Sequence, residues 1–462
     1  MKVSEDDFPF DGPPLPEWRD EAPPDNVVAL PGAQTLEVSE DAIALAFTRE
    51  FGTSMRYDHH AGRWFQWAST HWRRLDVPVA LHYARELGRR LGSGKKAICK
   101  ASVARGAEVF AQADPSHAVT SDIWDADPWL LGTPKGTLNL KTGKMHQPRP
   151  SDFITKLSGC NPDSREPTLW LRFLNDATRG DQQMVTYLQR IAGYCMTGLT
   201  LEHALFFIYG PGGNGKSVFL NILVHILGDY ATNAPMDTFT SSKFQGHPTD
   251  LAMLKGARLV TASETEEGRA WAEARVKALT GGDPITARFM RQDFFTYQPQ
   301  FKLVFAGNHQ PTLHGVDTAM RRRFNMLPFI FKPEAPDYGL EDKLREESPR
   351  ILGWALKGCL DWQLHGLGKA ASVIEATDEY FEEQDSFGSW VVQCCDVGPD
   401  HWDTPTALFA SWVRYGRANG EDVGSMKTFA PRLMKAGFRS HRSGTFGRRY
   451  MGLSLKSGER EQ

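Results

Sequence analysis

The residues that decide the fold are Gly210-Pro211-Gly212-Gly213-Asn214-Gly215-Lys216-Ser217. They fit the pattern GxxxxGK[ST], follow the apolar run Ala-Leu-Phe-Phe-Ile-Tyr at 204–209, and precede the run Val-Phe-Leu-Asn-Ile-Leu-Val at 218–224. A strand before the glycines and a helix after them are the context in which this pattern forms a phosphate-binding loop. A chance glycine-rich turn is disfavoured because both flanking elements are predicted.

Each residue type in this loop has a physical role toward a phosphate chain. Glycines allow successive backbone N–H groups to turn inward around phosphate oxygens, and the following helix points its positive end at them. We expect Lys216 to neutralise the β- and γ-phosphates and the Ser217 hydroxyl to ligate Mg²⁺. The sequence therefore predicts a nucleoside triphosphate and Mg²⁺ as cofactors.

Two further apolar strands each end in a polar side chain. The run 258–262 leads to Ser263 and Glu264, and the run 302–306 leads to Asn308. Short strands that alternate with helices predict a parallel α/β sheet, whose ligands lie at the carboxyl ends of the strands. Glu264 is the candidate to hold the Mg²⁺ shell and polarise the attacking water, and Asn308 the candidate to orient that water. Two alternatives stay open: Glu266 and Glu267 as solvated loop acids, and Asn308 as a turn cap.

A basic segment precedes the last predicted strand of the sheet. Arg321, Arg322 and Arg323 stand directly before the apolar run 324–329. Arginine at this point can act as a finger on the nucleotide of a neighbouring subunit. We expect the Arg323 side chain to emerge at a subunit edge, with Arg322 as the second choice. A solvated basic corner is the alternative.

Composition limits the classes of protein to which the chain can belong. It has 462 residues, with 53 Lys and Arg against 56 Asp and Glu, a net charge of −3, and six scattered cysteines without a CxxC pair. No apolar run is long enough for a membrane helix, and the Pro-rich acidic start lacks a signal peptide, so we expect a cytoplasmic protein with no membrane partner. The pattern divides the chain into a disordered tail (1–38), an α+β accessory domain (39–200), an α/β core (201–335), a helical extension (336–392) and a basic C-terminal module (393–462).

With these elements in order, the chain resembles the superfamily 3 helicases of the AAA+ class, and most closely the helicase half of phage, satellite-phage and poxvirus primase–helicases. The stretches that carry the resemblance are 173–194, the loop at 210–217, 262–268, 277–288, 306–311 and 317–329. The resemblance implies an AAA+ type core, ATP as the nucleotide, and a homo-oligomeric ring, expected to be a hexamer, that unwinds DNA during replication of a phage, prophage or similar element. A separate primase would be its partner. The alternative is a DNA-dependent AAA+ ATPase that loads or remodels replication proteins without unwinding.

Two departures from the family pattern matter. Many members end the second strand in two adjacent acids, whereas this chain has Ser263 and Glu264, so Glu264 acts alone or with help from Glu266. Only about 40 Pro-rich residues precede the accessory domain, so no primase active site is expected.

Two regions are candidates for DNA contact. The segment 285–297 alternates apolar and polar residues around a turn near Arg291, which predicts a β-hairpin. The resemblance implies that this hairpin grips the strand in the ring channel through Arg288 and Arg291, with Lys277 nearby. An ordinary solvent-facing hairpin is the alternative.

The C-terminal module is the second candidate. Two predicted helices and a basic hairpin that carries Arg448 and Arg449 suggest a winged helix for duplex DNA. A solvated basic domain without DNA contact is the alternative.

Overall fold

A computed structural model describes residues 38–241, 248–263, 269–291, 293–313, 317–419, 423–443 and 447–460. The first unit begins where the Ser39 hydroxyl accepts a hydrogen bond from the Ala42 N–H at 3.1 Å and so caps the first helix. Its elements are α1 (Glu40–Phe51), β1 (Met55–Asp58), β2 (Arg63–Trp67), β3 (Trp72–Arg74), α2 (Val79–Leu91), α3 (Ala101–Ala113) and β4 (Ala118–Val119). Ile43, Phe47, Met55 and Leu87 belong to a core of this unit that is distinct from the others.

The next segment connects this unit to the central sheet. Its elements are β5 (Leu130–Thr133), β6 (Gly136–Asn139), β7 (Lys144–His146), α4 (Thr168–Ala177) and α5 (Gln182–Met196). Trp170, Tyr187 and Ile191 share one hydrophobic cluster with sheet residues such as Phe206. Helices α4 and α5 are thus buried against the α/β core, although the sequence pattern assigns them to the accessory domain that ends at residue 200.

The central unit contains five parallel strands. Its elements are β8 (Leu205–Tyr209), α6 (Lys216–Leu227), β9 (Ala231–Asn233), α7 (Pro248–Ala252), β10 (Leu259–Ser263), α8 (Glu273–Gly281), β11 (Ile285–Ala287), β12 (Phe295–Tyr297), β13 (Lys302–Gly307), α9 (Thr318–Arg321) and β14 (Phe324–Pro328). The strand order is β14–β8–β13–β10–β9, and every pairing in this sheet is parallel. The predicted parallel α/β sheet is confirmed; the sequence pattern missed the short strand β9.

Alternation along each strand divides the core between the two faces of the sheet. Phe206 and Ile208 pack with the helices on one face, while Leu205 and Phe207 pack on the other. The helices that follow are α10 (Leu340–Glu346), α11 (Ser348–His365) and α12 (Ala371–Gln384). α11 packs along α5 on the first face: an added Cβ on Gly193 would lie 2.1 Å from the Cys359 backbone nitrogen. Glycine is required where these two helices approach so closely.

Two buried cations anchor the amino ends of neighbouring strands. The Arg258 guanidinium donates to the carbonyls of Met196 and Leu130, at 2.6 Å each. The Lys302 ammonium donates to the Thr197 carbonyl, and burial lowers the pKa of Lys302 to about 7. Both cations lie at the negative end of α5, which holds this helix beneath the sheet.

The C-terminal module has its own core and begins earlier than the predicted residue 393. Its elements are α13 (Ser386–Cys394), β15 (Cys395–Asp403), α14 (Pro405–Ala418), α15 (Met426–Lys435), β16 (Arg439–Ser443), β17 (Gly447–Leu455) and α16 (Ser457–Arg460). Trp390 of α13 packs with Trp412 and Phe429, so α13 belongs to this module and not to the helical extension. The three strands form an antiparallel sheet in the order β15–β17–β16.

Candidate nucleotide and DNA sites

The glycine-rich loop joins β8 to α6 at the carboxyl edge of the parallel sheet. Strand β8 lies between β13 and β14, although the chain visits β9 and β10 first. Ligands of open α/β sheets bind where the strand order reverses in this way. Gly213 and Gly215 adopt φ of +80° and +86°, which a side chain would strain.

Lys216 is the centre of this loop. Its ammonium donates to the Gly210 carbonyl at 2.7 Å, to the Pro211 carbonyl at 3.0 Å, and to the side-chain oxygens of Asn214 and Asn308 at 2.9 Å each. The residue is 7% exposed, and burial lowers its pKa. The two sequence-predicted residues Lys216 and Asn308 are thus in direct contact, although 92 positions separate them in the chain.

Asn214 has a role that sequence reasoning missed. Its side chain is 4% exposed, accepts from Lys216 and donates to the Phe329 carbonyl at the end of β14. A Cβ on Gly210 would lie 2.0 Å from the same Phe329 oxygen, so glycine is required there for the contact. Asn214 therefore links the loop to the strand that follows the arginine segment.

The exposed side of the loop has room for a phosphate chain. Pro211, Gly212, Gly213 and Ser217 are exposed, and α6 carries no acid in its first turn. A helix amino terminus without a carboxylate retains its positive potential for a bound anion. The described residues of the loop fit a nucleotide, and Ser217 would ligate its Mg²⁺; the predicted acids Glu264, Glu266 and Glu267 lie outside the described residues.

The arginine segment differs from prediction in one respect. Arg323 is 8% exposed and donates to the Thr280 hydroxyl at 3.1 Å and to the Ala319 carbonyl at 2.9 Å. The expectation that its side chain emerges at an edge is wrong, because α8 and α9 enclose it. Arg322 is exposed, and it lines a cleft of about 260 Å³ together with Arg321 and Lys369.

Lys277 also has a local partner. It forms an ion pair with Asp317, whose other carboxylate oxygen accepts from the Met320 N–H at 2.7 Å and so caps α9. This contact fixes the start of the arginine segment. Lys277 is therefore occupied within the chain and lies in α8, outside the hairpin it was predicted to assist.

The predicted hairpin is present as β11 and β12. Ile285 and Ala287 are buried and Thr286 is exposed, as the alternation indicates, and Arg291 in the turn has φ of +60°. Beyond the paired strands the tip exposes the hydrophobic side chains Phe289, Met290 and Phe294. Phe289 continues the apolar alternation of Ile285 and Ala287, yet it is 39% exposed because pairing ends at Ala287.

The tip combines cations with aromatic rings. The Arg288 guanidinium lies 4.7 Å from the centre of the Phe294 ring, and Phe289 stacks on Phe295 at 5.7 Å. Sequence reasoning named only the arginines, although the aromatic residues were visible in the same segment.

Most cations of the C-terminal module lie on α15 and on the hairpin of β16 and β17, while Arg414 and Arg417 lie on α14. The exposed members on α15 and the hairpin are Lys427, Arg432, Lys435, Arg439, Arg442 and Arg448. Arg448 donates to the Ser440 hydroxyl at 2.9 Å, whereas Arg449 is half-buried and stacks 3.5 Å above the Trp402 ring. Of the two predicted residues, Arg448 is the more available to a ligand.

Two features are absent from the described ranges. No helix in them is long and apolar enough to cross a membrane. Nor do they contain three or more His, Cys, Asp or Glu side chains grouped so that a metal ion could be held.

The fold and the site together define a class: an α/β protein that carries a GxxxxGK[ST] loop at the carboxyl edge of a parallel sheet. Two family models match separate parts of the chain. The model described as D5 N terminal like matches residues 44–179, and the one described as Family of unknown function (DUF5906) matches residues 208–323.

Viral proteins are similar in sequence to more than half of the chain. "Putative helicase L207/L206" of Acanthamoeba polyphaga mimivirus is 26% identical over 294 residues, which cover 58% of this chain and 30% of that protein. "Putative primase C962R" of African swine fever virus (isolate Tick/Malawi/Lil 20-1/1983) is 25% identical over 290 residues, 59% of this chain and 29% of that protein. The chain thus matches less than a third of the length of these relatives.

Solved structures share the fold. The apo structure of the NrS-1 C terminal region covers 90% of this chain and 100% of its own, with a TM-score of 0.51 and 10% identity. A second form of that region gives a TM-score of 0.52 and 11% identity. The chain is thus similar in sequence to part of a putative viral helicase and of a putative viral primase, and it shares its fold with the NrS-1 C terminal region.

Proposed function

We propose that this protein is an ATP-dependent DNA helicase of the AAA+ class, superfamily 3, that acts as a ring in replication of a phage, prophage or similar element. The observation that carries the proposal is the contact of Lys216 with Asn308 inside a loop that follows a parallel strand. A lysine and an amide from a neighbouring strand serve the two needs of phosphoryl transfer to water, namely neutralised charge and an oriented nucleophile.

The chain's own groups divide the work of hydrolysis. Lys216 exchanges its contacts with the Gly210 and Pro211 carbonyls for phosphate oxygens when ATP binds. Asn308 holds the attacking water through its side-chain amide, and Glu264 accepts a proton from that water. Ser217 and Glu264 would hold Mg²⁺, which would supply charge neutralisation at the phosphates.

The proposed ring relies on Arg322 as the trans-acting finger. Arg322 is exposed beside Arg321, which is itself paired with Asp378 at 2.8 Å. A finger must leave its own subunit to reach a neighbour's nucleotide, which the buried Arg323 cannot do without breaking its bonds to Thr280 and Ala319. Arg323 instead holds the arginine segment against α8 through its hydrogen bond to Thr280.

DNA contact is assigned to the hairpin tip and to the C-terminal module. Arg288 and Arg291 supply phosphate contacts, and Phe289 and Phe294 supply faces on which bases of a single strand stack. The order helix, strand, helix, helix, hairpin in the C-terminal module supports a winged helix for duplex DNA. A loader that does not unwind is the second candidate, and the aromatic hairpin tip favours the helicase because a loader has less need to grip bases.

Hydrolysis tests the nucleotide half of this proposal. We expect the full chain to hydrolyse ATP with Mg²⁺ and single-stranded DNA to stimulate the rate, whereas Lys216→Ala shows neither. Hydrolysis in the Lys216→Ala variant equal to that of the wild type would refute the assigned site.

A further inference from the structure

The accessory unit carries a basic surface that the proposed function does not use. Between residues 85 and 105 the chain has seven cations and one acid, Glu86. The cations are exposed, and we call them the basic surface: Arg85, Arg89, Arg90, Lys95, Lys96, Lys100 and Arg105. This is a strong local excess in a chain whose net charge is −3.

Backbone hydrogen bonds fix the turn between α2 and α3, in which Lys95 and Lys96 are exposed. The Ile98 and Cys99 N–H groups donate to the Lys95 carbonyl, and the Gly94 N–H donates to the Arg89 carbonyl. Ile98 packs onto α2 at Gly88 and Gly92, where a glycine Cβ would lie 3.6 Å and 2.9 Å from its Cγ2 atom. Ile98 therefore fixes the turn against α2, and the lysine side chains of the turn remain exposed to solvent.

Local pairing accounts for only part of the basic surface. Glu86 lies 3.3 Å from Arg85 and 3.5 Å from Arg89, and Glu50 pairs with Arg90. Lys95, Lys96 and Lys100 have no carboxylate within 4.0 Å among the described residues. Three lysines thus remain for an outside partner.

Helix stability does not explain these lysines either. Arg89 and Arg90 in the last turn of α2 favour the helix dipole, but Lys100 is the N-cap of α3, whose first turn has no acid and no side-chain cap. A cation at the positive end of a helix is unfavourable. The charge is therefore placed where it costs stability, which is expected of a surface that binds a polyanion.

We propose that the basic surface binds the sugar–phosphate backbone of duplex DNA, as a site separate from the hairpin tip and the C-terminal module. No aromatic residue occurs between 85 and 105, so this surface offers cations but no ring on which an unpaired base could stack. Contacts made only to phosphates carry no sequence information and depend steeply on salt. The basic surface would hold the duplex near the ring without selecting a sequence.

The test replaces Lys95, Lys96, Lys100 and Arg105 by Gln in the full chain. With two blunt duplexes of different sequence and no nucleotide, we expect affinity to fall at least about tenfold for both. The slope of log affinity against log salt should fall by about 3 to 4, since each lost phosphate contact removes about 0.9. Basal ATP hydrolysis should stay at the wild-type value, and the melting temperature should not fall, because Lys100→Gln removes an unfavourable charge at the start of α3.

A matched control removes the same charge elsewhere. Arg63, Arg73, Lys144 and Arg179 are exposed cations outside the basic surface, and their fourfold change to Gln should leave the salt slope unaltered. The proposal is overturned if the first variant keeps the wild-type slope of log affinity against log salt. An acidic protein would then be the partner to test. The proposal is equally overturned if both variants lose the same affinity, or if the loss is confined to single-stranded DNA.

Discussion

At the scale of single residues, the Lys216 ammonium has four acceptors from its own chain: two carbonyls and the side chains of Asn214 and Asn308. A buried cation needs such partners, because an unpaired charge in this environment is costly. A phosphate chain can replace the two carbonyls and keep the charge balanced. The loop therefore holds the lysine ammonium on the carbonyls that a phosphate chain would replace.

The first prediction concerns this lysine and Glu264, the acid that the sequence predicts as the base. Lys216→Ala removes the counter-charge to the phosphates and should lower ATP turnover by at least about 10²-fold. Glu264→Gln keeps the polar contacts and loses the base, so ATP should still bind while hydrolysis is lost. Nucleotide binding by fluorescence and phosphate release by a coupled assay separate the two effects; wild-type turnover in Glu264→Gln would transfer the role to Glu266.

The second prediction compares two adjacent arginines. Arg323→Ala breaks bonds to Thr280 and Ala319 inside the protein and should lower the free energy of unfolding by about 1–3 kcal/mol. Arg322→Ala should leave that free energy unchanged but lower ATP turnover by about 10³-fold, as expected for a finger. Denaturant unfolding and steady-state hydrolysis on both variants give the comparison.

Mixing subunits tests whether the finger acts in trans. Arg322→Ala chains mixed with Lys216→Ala chains should recover part of the ATPase activity, because some interfaces then combine an intact loop with an intact finger. No recovery from two variants that each assemble normally would count against Arg322, and a fully active monomer would refute the ring.

Residue-level prediction from the sequence succeeded where a motif is local and failed where burial depends on distant parts of the chain. The glycine pattern and the strand ends brought Lys216 and Asn308 together correctly. Arg323 was expected at a subunit edge because it directly precedes an apolar strand, whereas Thr280, 43 positions away, provides its buried partner. Nothing in the local pattern distinguishes Arg322 from Arg323.

At the scale of elements, the hairpin of β11 and β12 ends in a tip that is both cationic and aromatic. Phe294 is 58% exposed and Met290 70% exposed, which is unfavourable unless the tip meets a ligand. Paired strands hold the base of the tip through the contact of Ile285 with Tyr297 across the hairpin. The tip is thus a projecting feature on a short, fixed support.

The third prediction separates stacking from charge at this tip. Phe294→Ala should weaken single-stranded DNA binding by about 1–3 kcal/mol and leave duplex binding unchanged, because only unpaired bases can stack on the ring. Thr286→Ala, on the exposed face of the same hairpin, is the control and should bind as the wild type does. Equal losses for single-stranded and duplex DNA would argue against stacking.

The hairpin arginines should couple DNA binding to hydrolysis. Changing Arg288 and Arg291 to Ala should spare basal ATP hydrolysis and remove its stimulation by single strands, because phosphate contacts supply most non-specific affinity. If the double variant is stimulated like the wild type, the hairpin does not carry the signal.

The fourth prediction concerns the C-terminal module. Because α13 contributes Trp390 to a core of its own, residues 385–460 should fold alone, whereas a fragment that starts at 395 should not. The longer fragment should bind duplex DNA with an affinity that falls steeply with salt. Circular dichroism on both fragments and a salt series on the longer one decide this; a folded fragment without binding at low salt would refute the winged-helix role.

At the scale of the whole molecule, the net charge of −3 conceals an uneven distribution. Residues 1–38 contain nine acids and two basic residues, so the rest of the chain is net positive. Local excesses of cations over acids occur at the basic surface and in the C-terminal module, and two arginines lie at the hairpin tip. A near-neutral total is therefore compatible with several DNA-binding surfaces.

The large-scale organisation was only partly predictable. Alternation of apolar strands and helices indicated the parallel sheet, because that signal lies within each element. The boundary at 200 could not be found in this way, since α5 packs against α11, about 160 positions later in the chain. The start of the C-terminal module was misplaced for a similar reason, as Trp390 reads as an ordinary helix residue until its partners Trp412 and Phe429 are known.

Strand displacement on a forked DNA duplex tests the central claim most directly. The full chain with ATP and Mg²⁺ should separate the labelled strand, and the Lys216→Ala variant, prepared in the same way, should not. ATP hydrolysis that single-stranded DNA stimulates, without any displacement of the labelled strand, would contradict the helicase assignment and favour a loader.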